Sequence, residues 1–187
     1  MKEDLRQLLS KRQKRYIIDA SRVPSATLLP IYKKQGQYHI LFIKRTETVK
    51  EHKGQISFPG GTREEGDRTL LDTALRECTE EIGLRIEDVD LLGELDDEVT
   101  TTSNYIVSPF VAAIPWPYRF KINPEEVDEI IEIPIPGLLD KHSCYPDIEY
   151  LDGKRFDSYT YRYKGRIIWG ATARILNRFL DIFYQVS

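Results

Sequence analysis

Phe58-Pro59-Gly60-Gly61 and, after a gap of fourteen residues, Arg76-Glu77-Cys78-Thr79-Glu80-Glu81-Ile82-Gly83-Leu84 are the stretch from which the rest of the chain can be read. A short strand, Gln55 to Phe58, runs into a Pro-Gly-Gly turn, and Thr69 to Ile82 has the pattern of a helix. Asp67 is positioned to cap its start and Gly83 to supply a left-handed stop. At about 100° per residue, with Leu71 at zero, Leu75, Cys78 and Ile82 fall within about 40° of it, which predicts the core face. Glu77, Glu80 and Glu81 fall at roughly 240°, 180° and 280°, within one turn of each other on the other side. Such like charges cost a few tenths of a kcal/mol each, partly offset by Arg76 pairing with Glu80 at i+4. Acidic helix faces are often no more than solvated surface. The glycines weigh the other way, because a backbone without Cβ lets a carbonyl approach a cation or phosphate closely. Carboxylates beside such a turn are hard oxygen ligands of the kind that suits Mg²⁺ or Mn²⁺.

Outward from this stretch, Ala26 to Tyr32 and Tyr38 to Ile43 read as two strands joined by a loop of five residues, Lys33 to Gln37. Val89 to Leu95 and Ile106 to Ile114 are strands separated by the polar loop 96–105, and Pro115, Pro117 and Pro124 make 115–124 irregular. Val127 to Ile133 is a further strand, with one helical turn expected over Pro136 to Asp140. Residues 142–158 read as a polar, turn-rich excursion, and Tyr159 to Trp169 as a last hairpin around Lys164-Gly165-Arg166. Gly170 to Gln185 is a terminal helix with Ile175, Leu176, Phe179 and Phe183 on one stripe. Residues 2–16 read as a helix with a leucine side followed by the basic run Lys11 to Arg15, either packed on the domain or free for a homodimer contact or a phosphate. Strands and helices are mixed rather than strictly alternating, which predicts an α+β (broadly α/β) domain with a mixed central β-sheet and helices on its faces. The organisation expected is an N-terminal helical extension, 1–24, and a single domain over 25–187.

The 187 residues carry 27 Lys and Arg against 30 Asp and Glu, a net charge of −3 that gives no general attraction for nucleic acid or an anionic membrane. Cys78 and Cys144 make neither a disulfide framework nor a zinc site and suit a reducing, cytoplasmic setting. The basic first twenty residues lack the apolar run of a signal peptide, and no stretch is long and apolar enough to span a membrane. No G-x4-G-K-[ST] occurs, which excludes a P-loop NTPase.

Gly61 followed by Arg76 to Leu84 resembles the Nudix box, G-x5-E-x7-R-E-U-x-E-E-x-G-U, with every fixed letter of its tail matched and Cys78 in the first aliphatic slot. Asp67 stands where the first box Glu belongs, and the spacing to Arg76 is one residue longer than usual. Upstream, Leu41 to Thr46, Lys50, and Gly54 to Gly61 are similar to the L-L-T-x-R-[SA]-x3-R-x3-G-x-V-x-F-P-G-G signature of the coenzyme A diphosphatase branch. Gly93 to Asp96, Ser108 to Val111, Glu126 to Glu129 and Ile168 to Ala173 also look like that branch, so the resemblance spans about 25–175.

The resemblance implies a Nudix-type α/β/α sandwich and a diphosphate hydrolase using Mg²⁺ or Mn²⁺, with coenzyme A or an acyl-CoA as substrate. It implies Glu77 and Glu81 as metal ligands, Glu80 as a third ligand or a holder of water, and the Gly61 carbonyl as a backbone ligand. Arg76 would orient Glu77. The general base is open between Glu80, Glu98 and Glu126. Arg45, Lys50 and Lys53, with the Gly60 turn, are candidates for substrate phosphates, and Trp116, Trp169 and Tyr118 for stacking on adenine. The alternatives are the same chemistry on another nucleoside diphosphate derivative, such as ADP-ribose, a dinucleotide or an oxidised nucleotide, and a non-catalytic nucleotide sensor. Retention of all three box acids weighs against the sensor.

Overall fold

The computed structural model describes residues 1–48, 53–151 and 153–186. In chain order the elements are α1 (Lys2–Lys11), β1 (Val23–Lys34), β2 (Gln37–Arg45), β3 (Ile56–Ser57), β4 (Gly60–Thr62), α2 (Leu70–Ile82), β5 (Asp90–Glu94), β6 (Glu98–Val99), β7 (Tyr105–Ala113), β8 (Val127–Pro134), α3 (Ile135–Leu139), β9 (Cys144–Leu151), β10 (Lys154–Tyr163), β11 (Arg166–Ile168) and α4 (Gly170–Phe183).

A splayed hairpin positions the glycine turn. β1 and β2 are joined by only Gln35-Gly36, both at positive φ (52° and 82°), rather than by the five-residue loop expected. A turn with both central residues at positive φ matches the right-handed twist of its strands, so pairing continues to the tip. Away from the tip the strands separate. β1 pairs with β2 only over Ile31–Lys34, while β4 takes Ser25–Thr27 and β3 takes Ile43 and Lys44. The 56–62 segment is thus a wedge inside the sheet, pinned where Leu28 N–H and the Thr27 hydroxyl both donate to the Pro59 carbonyl, at 2.9 and 2.7 Å. β7 runs parallel to β1, between it and β5, and the other pairings are antiparallel, so the sheet is mixed.

Alternation along the central strands feeds two cores. Leu28, Tyr32, Leu41 and Ile43 pack with Ala74, Cys78 and Ile82 of α2. Leu29, Ile31, Ile40 and Phe42 face the other way, onto Leu5 and Leu9 of α1 and Leu176, Phe179 and Phe183 of α4. Burying each such side chain contributes about 1.5–3 kcal/mol. Both faces are therefore covered, which is the α/β/α sandwich.

The structure corrects several local expectations. Thr69, not Asp67, caps α2: its hydroxyl accepts from Asp72 N–H while the Asp72 carboxylate accepts from Thr69 N–H. Gly83 closes the helix in the left-handed conformation, φ 66°. The buried face of α2 is rotated from the one predicted. Thr73, Ala74, Cys78, Glu81 and Ile82 are buried and Leu75 only half-buried, so α2 sets its small residues Ala74 and Cys78 against the sheet and turns Glu81 inward. Helix α1 ends at Lys11, and the basic residues after it are consumed internally: Arg12 and Arg15 pair with Asp96, and Lys14 with Glu94 and Asp97.

The largest difference is over 142–158. That segment is not an excursion of turns but the long hairpin β9–β10, which with β11 forms a second, three-stranded sheet. Its inward groups include Ser158 and Glu149, satisfied by hydrogen bonds and an ion pair rather than by apolar contact, so the alternation that signals a strand is absent. Among the described residues, no helix is long and apolar enough to cross a membrane.

Candidate active site

The glycine wedge, α2 and the start of β8 converge on a cavity of about 510 Å³. Glu77, Glu81 and Glu126 line it, with ligand atoms all within 4.8 Å of one another. Glu81 is fully buried. Its Oε1 accepts from Arg45 Nη1 at 3.1 Å and its Oε2 from Gly60 N–H at 2.9 Å. Burial, reinforced by Glu77 and Glu126, pushes its carboxyl up to about 8, against the opposing pull of Arg45 and the Gly60 amide. Glu77 is likewise raised, chiefly by burial, with Arg76 opposing.

Both glycines make close approaches, Gly60 to the backbone of β1 and Gly61 to a side-chain carboxylate. A Cβ on Gly60, at φ 154°, would sit 2.3 Å from the Ala26 carbonyl oxygen. One on Gly61 would sit 2.3 Å from the Glu77 carboxylate.

Arg76 binds several parts of the site together. Its Nε and Nη2 grip the Asp67 carboxylate at 3.1 and 3.0 Å, Nη2 also reaches the Thr62 carbonyl, and Nη1 donates to Glu77 and Glu80, each at 3.0 Å. This fork holds the Asp67 carboxyl well below the ordinary carboxylate range. Asp67 also accepts from the Thr73 hydroxyl and Glu64 N–H, so it ties the loop to the helix.

Glu126 arrives from elsewhere in the chain. Lys121 and Asn123 N–H bond the carbonyls of Ile82 and Glu81, which lashes the 121–126 segment to the open end of α2. Asn123 Nδ2 then donates to Glu126 Oε1 at 3.2 Å.

Of the sequence candidates, Glu77, Glu81, Gly60, Gly61 and Arg45 line the cavity together. The Gly60 amide is engaged by Glu81. Arg45 Nε is buried without a hydrogen-bond partner among the described residues. Glu80 and Arg76 do not line the cavity, and the Glu80 side chain is half exposed and paired with Arg76. Glu98 is buried in β6 between Arg174 and Arg178 and does not reach the cavity either. Lys53 is exposed and outside the lining. Lys50 lies outside the described residues. Trp116 stacks on Tyr32 and Tyr118 bonds Asp88, both on the α2 side, whereas Trp169 lines the cavity. Sequence reasoning left Glu126 as one of three bases and did not see it as a partner of Glu77 and Glu81. The lining residues Thr100, Thr101, Thr102, Tyr105 and Thr172 went unremarked as site residues, since hydroxyls in a polar loop carry no spacing signal.

Three carboxylates this close repel one another, and one of them is removed from water. Arg45 and Arg76 compensate only part of that charge. The donor set, three hard oxygens, fits a divalent cation.

A NUDIX domain model matches residues 21–146. An uncharacterised Nudix hydrolase NudL of Photorhabdus laumondii is 35% identical over 158 residues, covering 82% of this chain and 81% of that protein. The protein of the same description from Yersinia pestis is 32% identical over 86% of this chain and 80% of its own length. Among solved structures, a MutT/nudix family protein from Enterococcus faecalis superposes with a TM-score of 0.59 over 98% of this chain and 68% of that one, at 14% identity. The NUDIX domain of Shewanella oneidensis NrtR, complexed with ADP ribose, gives 0.52 over 65% and 78%, at 16% identity. These two structural likenesses bear on the fold, while the domain match and the sequence relatives decide membership. The chain belongs to the Nudix hydrolase family, whose members split the diphosphate linkage of nucleoside diphosphate derivatives.

Proposed function

We propose that the chain hydrolyses coenzyme A or an acyl-CoA to phosphopantetheine and 3′,5′-ADP, using Mg²⁺ or Mn²⁺. The observation that carries the substrate choice is the block Leu41 to Gly61, which resembles the coenzyme A diphosphatase signature beyond what the box alone requires. Arg45, Gln55, Ser57, Phe58, Gly60 and Gly61 of that block line the cavity, which supports a role in recognition.

Glu77 and Glu81 would hold the cation, with the Gly61 carbonyl as a backbone ligand and Glu126 beside them. The cation supplies charge neutralisation for the diphosphate and makes water more acidic. The protein's part is positioning. Arg76 orients Glu77, and the Gly60 amide with Arg45 orients Glu81. The unpartnered Arg45 Nε is a donor that a phosphate oxygen would satisfy. The attacking water must lose a proton to a carboxylate. Glu126 is favoured for this because it lines the cavity, whereas Glu80 and Glu98 are held outside it by arginines. Lys50 is retained as the candidate for the 3′-phosphate.

The test is formation of the nucleotide products, separated by chromatography, from coenzyme A, dephospho-coenzyme A, ADP-ribose, NADH, diadenosine polyphosphates and 8-oxo-dGTP, with each metal. Coenzyme A should show the highest kcat/KM, about tenfold to a hundredfold above dephospho-coenzyme A, the worth of one charged contact to phosphate. Good turnover of ADP-ribose or a dinucleotide with coenzyme A untouched would refute the substrate assignment and leave the hydrolase chemistry standing.

A further inference from the structure

The wall of the cavity contributed by Thr100, Thr101, Thr102 and Tyr105 is held from behind by a charged cluster that does not itself line the cavity. Arg174, near the start of α4, is 6% exposed and spends all three guanidinium nitrogens inward. Nε donates to Glu98 Oε1 at 3.1 Å, Nη1 to Glu149 Oε1 at 2.6 Å and Nη2 to the Val99 carbonyl at 2.6 Å. Glu149, on β9, accepts in addition from the hydroxyls of Thr101 and Ser158. Glu98 is also held by Arg178 Nη2 at 3.2 Å. The loop is therefore gripped at the Val99 carbonyl and at the Thr101 hydroxyl by one bonded pair. Within the loop, Thr100 N–H donates to the Tyr105 carbonyl at 3.1 Å, and Tyr105 N–H to the Thr100 hydroxyl at 3.0 Å. The wall is thus a closed unit whose position depends on Arg174 and Glu149. A buried guanidinium with every nitrogen engaged has little freedom to shift.

We infer that Arg174 and Glu149 are a positioning pair that sets the substrate-recognition wall, so that the second sheet and α4 select the non-reacting part of the substrate. The inference rests on the reading of this cavity as the diphosphate site. Its logic is spatial. The glycine wedge and the three carboxylates take the reacting diphosphate, so the remainder of a nucleoside diphosphate derivative must lie along other lining residues. Those are the Thr100–Thr102 wall and Trp169 to Thr172 of the same α4 end. Glu149 and Arg174 both fall beyond residues 21–146, the span of the family match. A contact made equally in the ground state and the transition state shows in KM with kcat unchanged.

The experiment takes the full-length chain at saturating Mg²⁺, with whichever diphosphate of the panel it turns over best, and compares Arg174→Lys, Glu149→Gln and Thr101→Val. Lysine cannot reach three acceptors, so Arg174→Lys should raise KM about tenfold or more through misplacement of the wall, with kcat within about twofold and the Mg²⁺ concentration for half-activation unchanged. Glu149→Gln keeps shape and an acceptor oxygen and should recover much of the wild-type KM. Thr101→Val removes one neutral hydroxyl, strands no charge, and should raise KM in the same direction. If Arg174→Lys fails to fold, Ser158→Ala decides instead, since it removes the other hydroxyl held by Glu149 and Ser158 does not line the cavity: a raised KM supports the pair and an unchanged KM overturns it. Folded Arg174→Lys with unchanged KM, or with kcat lost at constant KM, would overturn the inference. Failure of the coenzyme A reading shows separately, as the identity of the best substrate, and leaves the KM comparison intact.

Discussion

The carboxylate end of the cavity draws two of its three carboxylates and both glycines from one continuous stretch, 60–81, while the opposite wall is assembled from a loop near residue 100 and a helix that starts at residue 170. The chemistries differ as much as the origins. At the carboxylate end, three acids are forced together and burial raises the Glu81 carboxyl to about 8. At the far wall, hydroxyls and an indole face the cavity, and the charges sit one layer back, each answered by an opposite charge. The first arrangement is costly without a cation and suits catalysis. The second is complete in itself and suits recognition that varies with the substrate. A fold can conserve the first and exchange the second, which is how one scaffold serves many diphosphates.

The contrast is most easily broken at Glu81. Glu81→Gln keeps the shape and removes a ligand charge, so kcat should fall on the order of a thousandfold, about 4 kcal/mol of transition-state stabilisation. Glu80→Gln, on an exposed side chain of the same helix, should lose about tenfold or less. Equal losses would mean the catalytic carboxylates are not the cavity-lining ones. Exhaustive chelation should abolish turnover outright.

The same residue governs stability without metal. Its carboxyl is raised from 4.5 to about 8, so the folded chain keeps a proton that the unfolded chain releases between those values. More protons on the native state make stability fall as pH rises through that window. Urea melts in chelator at either end of it should show the decline, Glu81→Gln should flatten it, and added Mg²⁺ should recover most at the alkaline end. A wild-type slope equal to that of the variant would remove the claim.

The orientation of α2 sharpens the comparison further, since the face that carries Glu81 also carries the core. Ile82→Ala should cost about 2–5 kcal/mol, against about 1 kcal/mol for the half-buried Leu75→Ala. The reverse order in thermal or urea melts would put the helix back to the orientation expected from its leucines.

The smallest effect belongs to the far wall. Trp169 lines the cavity yet is 39% exposed. Trp169→Ala should raise KM for an adenine-containing substrate about tenfold, the worth of one aromatic stacking contact, and leave kcat nearly unchanged. A kcat loss with constant KM would move Trp169 into the chemistry.

The sequence by itself determined the glycine turn, the box helix with its Gly83 stop and acid cluster, and the mixed α+β architecture, because each is written in neighbours a few residues apart. Periodicity, capping chemistry and glycine's freedom are local properties. Only the tertiary structure decided which acids face one another. Glu81 turns inward because α2 packs small residues onto the sheet, Glu80 stays outside on Arg76, and Glu126 joins because the 121–126 segment satisfies the open carbonyls of α2. The same holds for Glu98, whose place in a polar loop suggested a mobile base and whose partners Arg174 and Arg178 lie nearly eighty residues away. The β9–β10 hairpin is illegible for the same reason: its inward positions include Ser158 and Glu149, and what makes the glutamate buriable is an arginine on another element. A polar group is buried only with its partner, and when that partner is distant in the chain the pairing is settled by packing, not by local sequence.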